Sequence, residues 1–188
     1  MIQQNKILDI AAQLFSASGI RNVTMDVIAK HLSVSKKTIY KLFRDKNGLV
    51  TAMMLRKVDR WKEQISEIIN RKYNVIVLMI KLADYSHDTF LNFNGVIIED
   101  MKKYYAEAWS LYQNFKTVFV IDIIESLLAK GKARGYFRPD LDEGIISRMW
   151  LRQLEMTVDL EIYPTEKFSR TKVKEELLNL CYIGIILK

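Results

Sequence analysis

The stretch "VTMDVIAKHLSVSKKTIYKLFRDKNGLV", residues 23–50, sets three short apolar patterns in succession, with only a few polar residues between them. Thr24, Ser35 and Asp45 each stand just before one pattern. There a side-chain oxygen accepts from the first free amides of a helix. Val27, Ile28 and Leu32 are the apolar positions of the first helix; Ile39, Leu42 and Phe43 are those expected to turn inward on the second. Ala29 is small enough for another helix to cross closely. Two short helices joined through Leu32-Ser33-Val34 make a helix-turn-helix.

With the apolar residues removed, the second of these helices presents Lys36, Lys37, Thr38, Tyr40 and Lys41 outward. That set fits the DNA major groove. Lysines reach guanine edges or phosphates. Thr38 offers a hydroxyl or a methyl, and Tyr40 a hydroxyl to phosphate. The rival reading is a three-helix bundle with a solvated basic face. Charge distribution supports the first. Residues 1–50 hold eight Lys and Arg against three Asp, a net +5, and the other 138 residues carry only +2 of the total +7. Such an excess predicts a polyanionic partner at the N-terminus.

The chain has 188 residues, seven Gly and two Pro, the latter at 139 and 164. Few breakers and abundant Leu, Ile, Lys and Glu predict an all-α protein. Residues 3–18 read as an amphipathic helix with Ile7, Ala11, Leu14 and Phe15 on one face, stopped by Gly19. A fourth helix follows Asp45 and carries Leu49, Met53, Val58, Trp61, Ile65 and Ile68. No apolar run approaches the ~20 residues of a membrane span. The N-terminus lacks a signal-peptide core, and the lone Cys181 suits a reducing compartment. The expectation is a soluble cytoplasmic protein.

Residues "AAQLF…G" (11–15, 19), "VTMDVIA" (23–29), "VSKKTIYKLF" (34–43) and "K…L" (46, 49) resemble the DNA-binding domain of the TetR family of bacterial transcriptional regulators. The resemblance covers about the first quarter of the chain. It implies that Thr24 and Lys46 hold phosphate at helix N-termini, and that Ser35, Lys36, Lys37, Thr38, Tyr40 and Lys41 lie at or near the groove. Two departures stand out. Ser33 occupies a turn position where the family often has Gly, so an uncommon backbone geometry is expected. Asn47 and Gly48 replace the family's frequent acidic residues, and Gly48 is expected to cost its helix about 1 kcal/mol. The division expected is a helix-turn-helix domain over 1–46 and a helical ligand-binding and dimerisation domain over 47–188.

Residues 70–188 hold no comparable motif. Helices are expected over about 72–91, a short stretch through Val96, Ile97 and Met101, a long run over 105–133, a helix from Asp142 to about Ile162, and a last one near 170–187. "LNFNG" (91–95) is the break, with Asn94 a cap candidate. Tyr104, Tyr105, Trp109, Tyr112, Phe115 and Phe119 fall within an arc of roughly 140° if the long run is one α-helix. Phe90, Phe93 and Trp150 add to that region. In the family, helices here enclose an effector pocket. The stripe is either that pocket's wall, with Phe90, Phe93, Tyr105, Trp109, Tyr112 and Trp150 binding a hydrophobic or flat aromatic ligand, or packed core. Val173, Leu177, Leu180, Gly184 and Leu187 form a heptad-like seam, with Ile145, Met149 and Val158 as companions, which closes either between two chains or within one. The resemblance implies a homodimer joined there. Two readers spaced about 34–36 Å apart fit successive major grooves.

The sequence thus reads as a ligand-responsive DNA-binding regulator, a dimeric repressor released from a double-stranded operator by a small effector. No cofactor or metal is expected: there is no HExxH, phosphate loop, dinucleotide fingerprint or Cys–His pairing. The alternatives are a constitutive DNA-binding protein without effector, and a small helical enzyme using Asp84, His87 and Asp88 of "DYSHD", which share a helical face.

Overall fold

The computed structural model describes residues 2–92 and 95–186, and leaves out the side chains of 2, 90–92 and 182. Phe93, Asn94 and Leu187 lie outside the described residues, as does the Phe90 side chain. Among the described residues the helices are α1 (Ile2–Ser18), α2 (Met25–Leu32), α3 (Lys36–Phe43), α4 (Lys46–Ile69) and α5 (Val75–Asn92). Then come α6 (Gly95–Tyr104), α7 (Ala106–Asn114), a π-helical segment (Phe115–Val120), α8 (Ile121–Ala133), α9 (Glu143–Met156) and α10 (Arg170–Ile185). An isolated antiparallel bridge joins Phe137 and Ile186. The class is all-α, as the composition predicts.

Three expectations change. The run over 105–133 is not one α-helix. Tyr104 closes α6, Tyr105 sits at a break with φ −131° and ψ 67°, and residues 115–120 wind with i→i+5 bonds. The wider turn shifts the phase, so an arc drawn at a constant 100° per residue does not describe these aromatics. Next, α9 stops at Met156 instead of about Ile162. Asp159 Oδ1 accepts from the amides of Glu161 (2.9 Å) and Ile162 (3.3 Å), a local turn that competes with helix. Finally, Leu42 is exposed. A two-turn helix buries one narrow stripe, here Ile39 and Phe43, four residues apart.

The packing divides into two compact units. Unit 1 comprises Met1–Glu63 and Phe93–Phe115. Its core is built from Ile7, Ala11, Phe15, Ile28, Ile39 and Leu49, all at most 1 % exposed. Gly19 ends α1 at φ +78°, a conformation costly for any residue with a Cβ. Helix α6 packs on α1, and its Asp100 accepts from the Arg21 amide at 3.1 Å. Trp61 of α4 packs edge-on to Tyr112 (6.4 Å between centroids) and tilted on Phe115 (5.3 Å).

Unit 2 comprises Gln64–Asn92 and Lys116–Lys188. Helix α8 packs on α9, α5 on both, and α10 on α9. Met79, Leu82, Ile124, Leu128, Trp150 and Leu154 fill the centre. Gly131 lets the Phe137 ring lie directly on α8, since a Cβ there would sit 2.0 Å from that ring. Lys116 pairs with Glu155, and Lys132 with Glu143 at 2.9 Å. No helix among the described residues is long and apolar enough to cross a membrane.

Candidate nucleic-acid interface

Local chemistry fixes the ends of both reader helices. The Thr24 hydroxyl accepts from the Val27 amide at 3.2 Å. Ser35 Oγ accepts from the Thr38 amide at 3.2 Å and lies 2.8 Å from Thr38 Oγ1. Between them, Ser33 takes the left-handed conformation, φ 54° and ψ 37°. Its amide donates to Lys30 O (3.2 Å), and that of Val34 to Ala29 O (3.1 Å), which closes α2 in a Schellman motif. The uncommon geometry expected of Ser33 is thus present. It ends α2 and lets the chain turn toward Ser35, the cap of α3.

Helix α3 then presents Lys36, Lys37, Tyr40 and Lys41 to solvent, with Thr38 half-buried. Two of the sequence-predicted lysines, Lys36 and Lys46, also have protein partners. Lys36 Nζ bonds Asp26 Oδ2 at 2.8 Å and stands 5.9 Å from the centre of the Tyr40 ring. The hydrogen bond that Lys36 donates to Asp26 holds its ammonium above the ordinary pKa. Lys46 Nζ donates to the Arg21 carbonyl at 3.3 Å, and burial lowers its pKa, with Asp100 opposing. Lys46 therefore braces the α1–α2 corner from the start of α4. Sequence reasoning missed Asp26 and Asp100 as partners, because no local spacing joins residues 26 and 36, or 21 and 100. It also missed Arg21, exposed beside α2, whose guanidinium lies 4.7 Å from the Tyr104 ring centre. His31 bonds the Val27 carbonyl through Nδ1 at 3.0 Å on the outer face of α2.

The corner between α3 and α4 is unusually tight. Arg44 adopts φ 63°, ψ −54°. The Asp45 carboxylate accepts from the Gly48 amide at 2.8 Å, the cap expected from sequence. A Cβ on Gly48 would lie 2.1 Å from the Phe43 carbonyl oxygen. The glycine read as a helix-weakening departure is thus required by close backbone approach.

The residues named for an effector are divided between the units. Tyr105 and Trp109 are half-buried in unit 1, and Tyr112 is buried there against Trp61. Burial raises the Tyr105 phenol above its ordinary pKa. Trp150 is buried in unit 2 at a crevice, shared with Leu177 and Cys181, that has no room for water. Its indole N–H has no partner among the described residues. Burial pushes the Cys181 thiol up to about 11. Of the residues expected at a dimer seam, Ile145, Met149, Leu180 and Gly184 face solvent, whereas Val173 is buried and Leu177 half-buried.

The members of "DYSHD" go to different partners. Asp84 takes Lys174 Nζ at 2.8 Å. His87 is 3 % exposed and bonds Thr157 Oγ1 through Nδ1 at 2.7 Å. The Thr157 hydroxyl donates to Leu154 O at 2.7 Å, so the imidazole is the donor. Asp88 faces solvent. Among the described residues no three His, Cys, Asp or Glu are grouped so as to hold a metal ion.

The model of "Bacterial regulatory proteins, tetR family" matches residues 7–53, which hold this reader. The chain is 22 % identical over 150 residues to the HTH-type transcriptional regulator UidR of Escherichia coli K12, covering 79 % of this chain and 76 % of that one. Its fold is similar to FadR of Bacillus subtilis, solved in complex with stearoyl-CoA (TM-score 0.75, 18 % identity, 98 % and 100 % of the two chains). It is also similar to AibR, solved with isovaleryl coenzyme A and operator DNA (TM-score 0.72, 16 % identity, 96 % and 98 %).

Proposed function

We propose that the chain, whose residues 7–53 match the model of the TetR family of bacterial regulatory proteins, is a ligand-responsive transcriptional regulator of that kind that represses as a DNA-bound dimer. The observation that carries the reading is the outward face of α3. A capped two-turn helix presents Lys37, Tyr40 and Lys41 to solvent, on a corner held by Ser33 and Gly48. Residues 1–46 are the reader, with Thr24, Ser35 and Thr38 against phosphate and the lysines in the groove. Residues 47–188 serve the effector and the partner subunit.

The exposed apolar residues Ile145, Met149, Leu180 and Gly184 support dimerisation through α9 and α10. Dimerisation doubles the bases read by a helix too short to be specific alone. An effector that prefers one of two spacings between readers shifts the population and releases the operator. Helix α4 is the mechanical link, since its first turn carries Lys46 and its length runs past Trp61 and Ile65. The ligands named for FadR and AibR support an effector of some kind. Tyr105, Trp109 and Tyr112 stand as candidates to sense it. The site of action is the cytoplasm, where the operator is.

The test is a gel shift on the DNA upstream of the chain's own gene, with scrambled competitor, at several salt concentrations. A retarded band that resists the competitor is expected. Lys37→Ala and Lys41→Ala should each flatten the logarithmic salt slope by about one. A folded protein that binds no DNA at any salt concentration would refute the reading.

A further inference from the structure

Unit 2 contains a cavity of about 500 Å³ whose lining includes Phe119, a member of the aromatic stripe read from the sequence. It lies between the end of α4 with the connection to α5 and the face of α8 that continues from the π segment. Its size falls within the ~300–1,000 Å³ of small-molecule sites. Ile69, Val75, Leu78, Phe119, Ile123 and Leu127 supply apolar wall. Asn70, Tyr73 and Ser126 supply neutral polar groups, and Arg71, Lys130 and Arg134 supply three cations against the one carboxylate of Asp122.

The charges are ordered along α8. Asp122, Ser126 and Lys130 stand four residues apart and share one ridge. At 1.5 Å per residue, Asp122 is about 12 Å from Lys130 along the axis. That exceeds the screening length of about 8 Å at physiological salt, so the acid does not neutralise the basic end. Other cations nearby are already matched: Lys132 with Glu143 at 2.9 Å, and Arg148 with Glu125 at 2.8 Å. Among the described residues no ion pair engages Arg71, Lys130 or Arg134. An apolar trough whose lining carries uncompensated cations selects an apolar body carrying an anionic head, because a guanidinium meets a carboxylate or phosphate in bidentate fashion.

We propose that this cavity binds an anionic amphiphile. Its apolar body lies along Phe119, Ile123 and Leu127, and its carboxylate or phosphate head is held by Arg71, Lys130 and Arg134. The proposal deepens the regulator reading, on which it rests, by giving the effector a site and a chemical class. Ile69 is the last residue of α4, so an occupant touches the helix whose first turn braces the reader corner.

The test uses the full chain without DNA, so its failure is separate from failure of operator binding. The probes are 1-anilinonaphthalene-8-sulfonate and its uncharged analogue N-phenyl-1-naphthylamine, read by fluorescence. The variants are Arg71→Gln with Lys130→Gln, both at exposed positions, and Ser126→Trp, which fills the trough from its exposed rim. The double variant should weaken the sulfonate at least tenfold and the uncharged probe less than twofold. Ser126→Trp should weaken both. Decanoate or decyl phosphate should displace the sulfonate, and whichever is stronger identifies the head group, while decanol should not compete. Binding of both probes indifferent to all three substitutions, or decanol competing as well as the two anions, would overturn the proposal.

Discussion

Gly48→Ala sets two physical effects against each other with opposite signs. On propensity alone, replacing a helical Gly by Ala stabilises by up to about 1 kcal/mol. The structure opposes this gain. The added Cβ would lie 2.1 Å from the Phe43 carbonyl oxygen and 3.2 Å from its carbon. Carbon and oxygen settle at about 3.3–3.6 Å, so the two strands of backbone must part by about 1 Å. Neither can move freely. Phe43 is buried, its carbonyl accepts the Asp45 amide at 2.6 Å, and Arg44 already has positive φ. Steric insertion with backbone shift costs roughly 1–3 kcal/mol, occasionally more. The expected balance is a loss of up to about 2 kcal/mol, or a Tm lower by up to about 8 °C for a chain of this size. Thermal unfolding followed by far-ultraviolet circular dichroism measures it. Asn47→Ala, one residue away and exposed, should instead raise stability by a few tenths, up to about 0.7 kcal/mol. Because Phe43 ends α3, operator affinity should fall with Gly48→Ala and not with Asn47→Ala. A higher Tm for Gly48→Ala would refute the claim that close approach dictates this glycine.

Asp26→Asn frees Lys36 from its ion pair. Anisotropy titrations on a labelled duplex should show tighter non-specific binding and a logarithmic salt slope steeper by up to about one; an unchanged slope would mean that the pair does not hold Lys36 from phosphate. His87 has a pKa lowered first by burial and then by Lys174 and Arg170, with Asp88 and Asp84 opposing. The folded chain thus favours neutral imidazole, and its contribution is full above the unfolded value of about 6.5 and is lost as pH falls through the lower folded value. The Tm advantage of the native chain over His87→Gln should therefore shrink from pH 7.5 to pH 5, and an advantage constant with pH would contradict the assignment. Met149→Lys and Leu180→Lys change residues that are 52 % and 64 % exposed. Sedimentation should show folded monomers with weakened operator binding, and dimers persisting in both variants would remove α9 and α10 as the interface.

The sequence by itself determined what depends on neighbours a few residues apart. Thr24, Ser35 and Asp45 cap their helices because a side-chain oxygen three residues before a free amide reaches it whatever the rest of the chain does. The outward lysines of α3 follow from the same local period, whereas the left-handed turn at Ser33 was implied by the family resemblance. Tertiary structure alone decided the rest. Lys36 meets Asp26, and Arg21 meets Asp100, because packing brings together residues with no shared period. Gly48 has its meaning only from a carbonyl five residues earlier, folded back by Arg44. The aromatic stripe was drawn on one continuous α-helix, and the π segment and the break at Tyr105 change its phase. The cavity is assembled from residues 69–78 and 119–134. Each stretch alone reads as ordinary amphipathic helix with solvated cations, and only their juxtaposition leaves an apolar trough with unmatched positive charge.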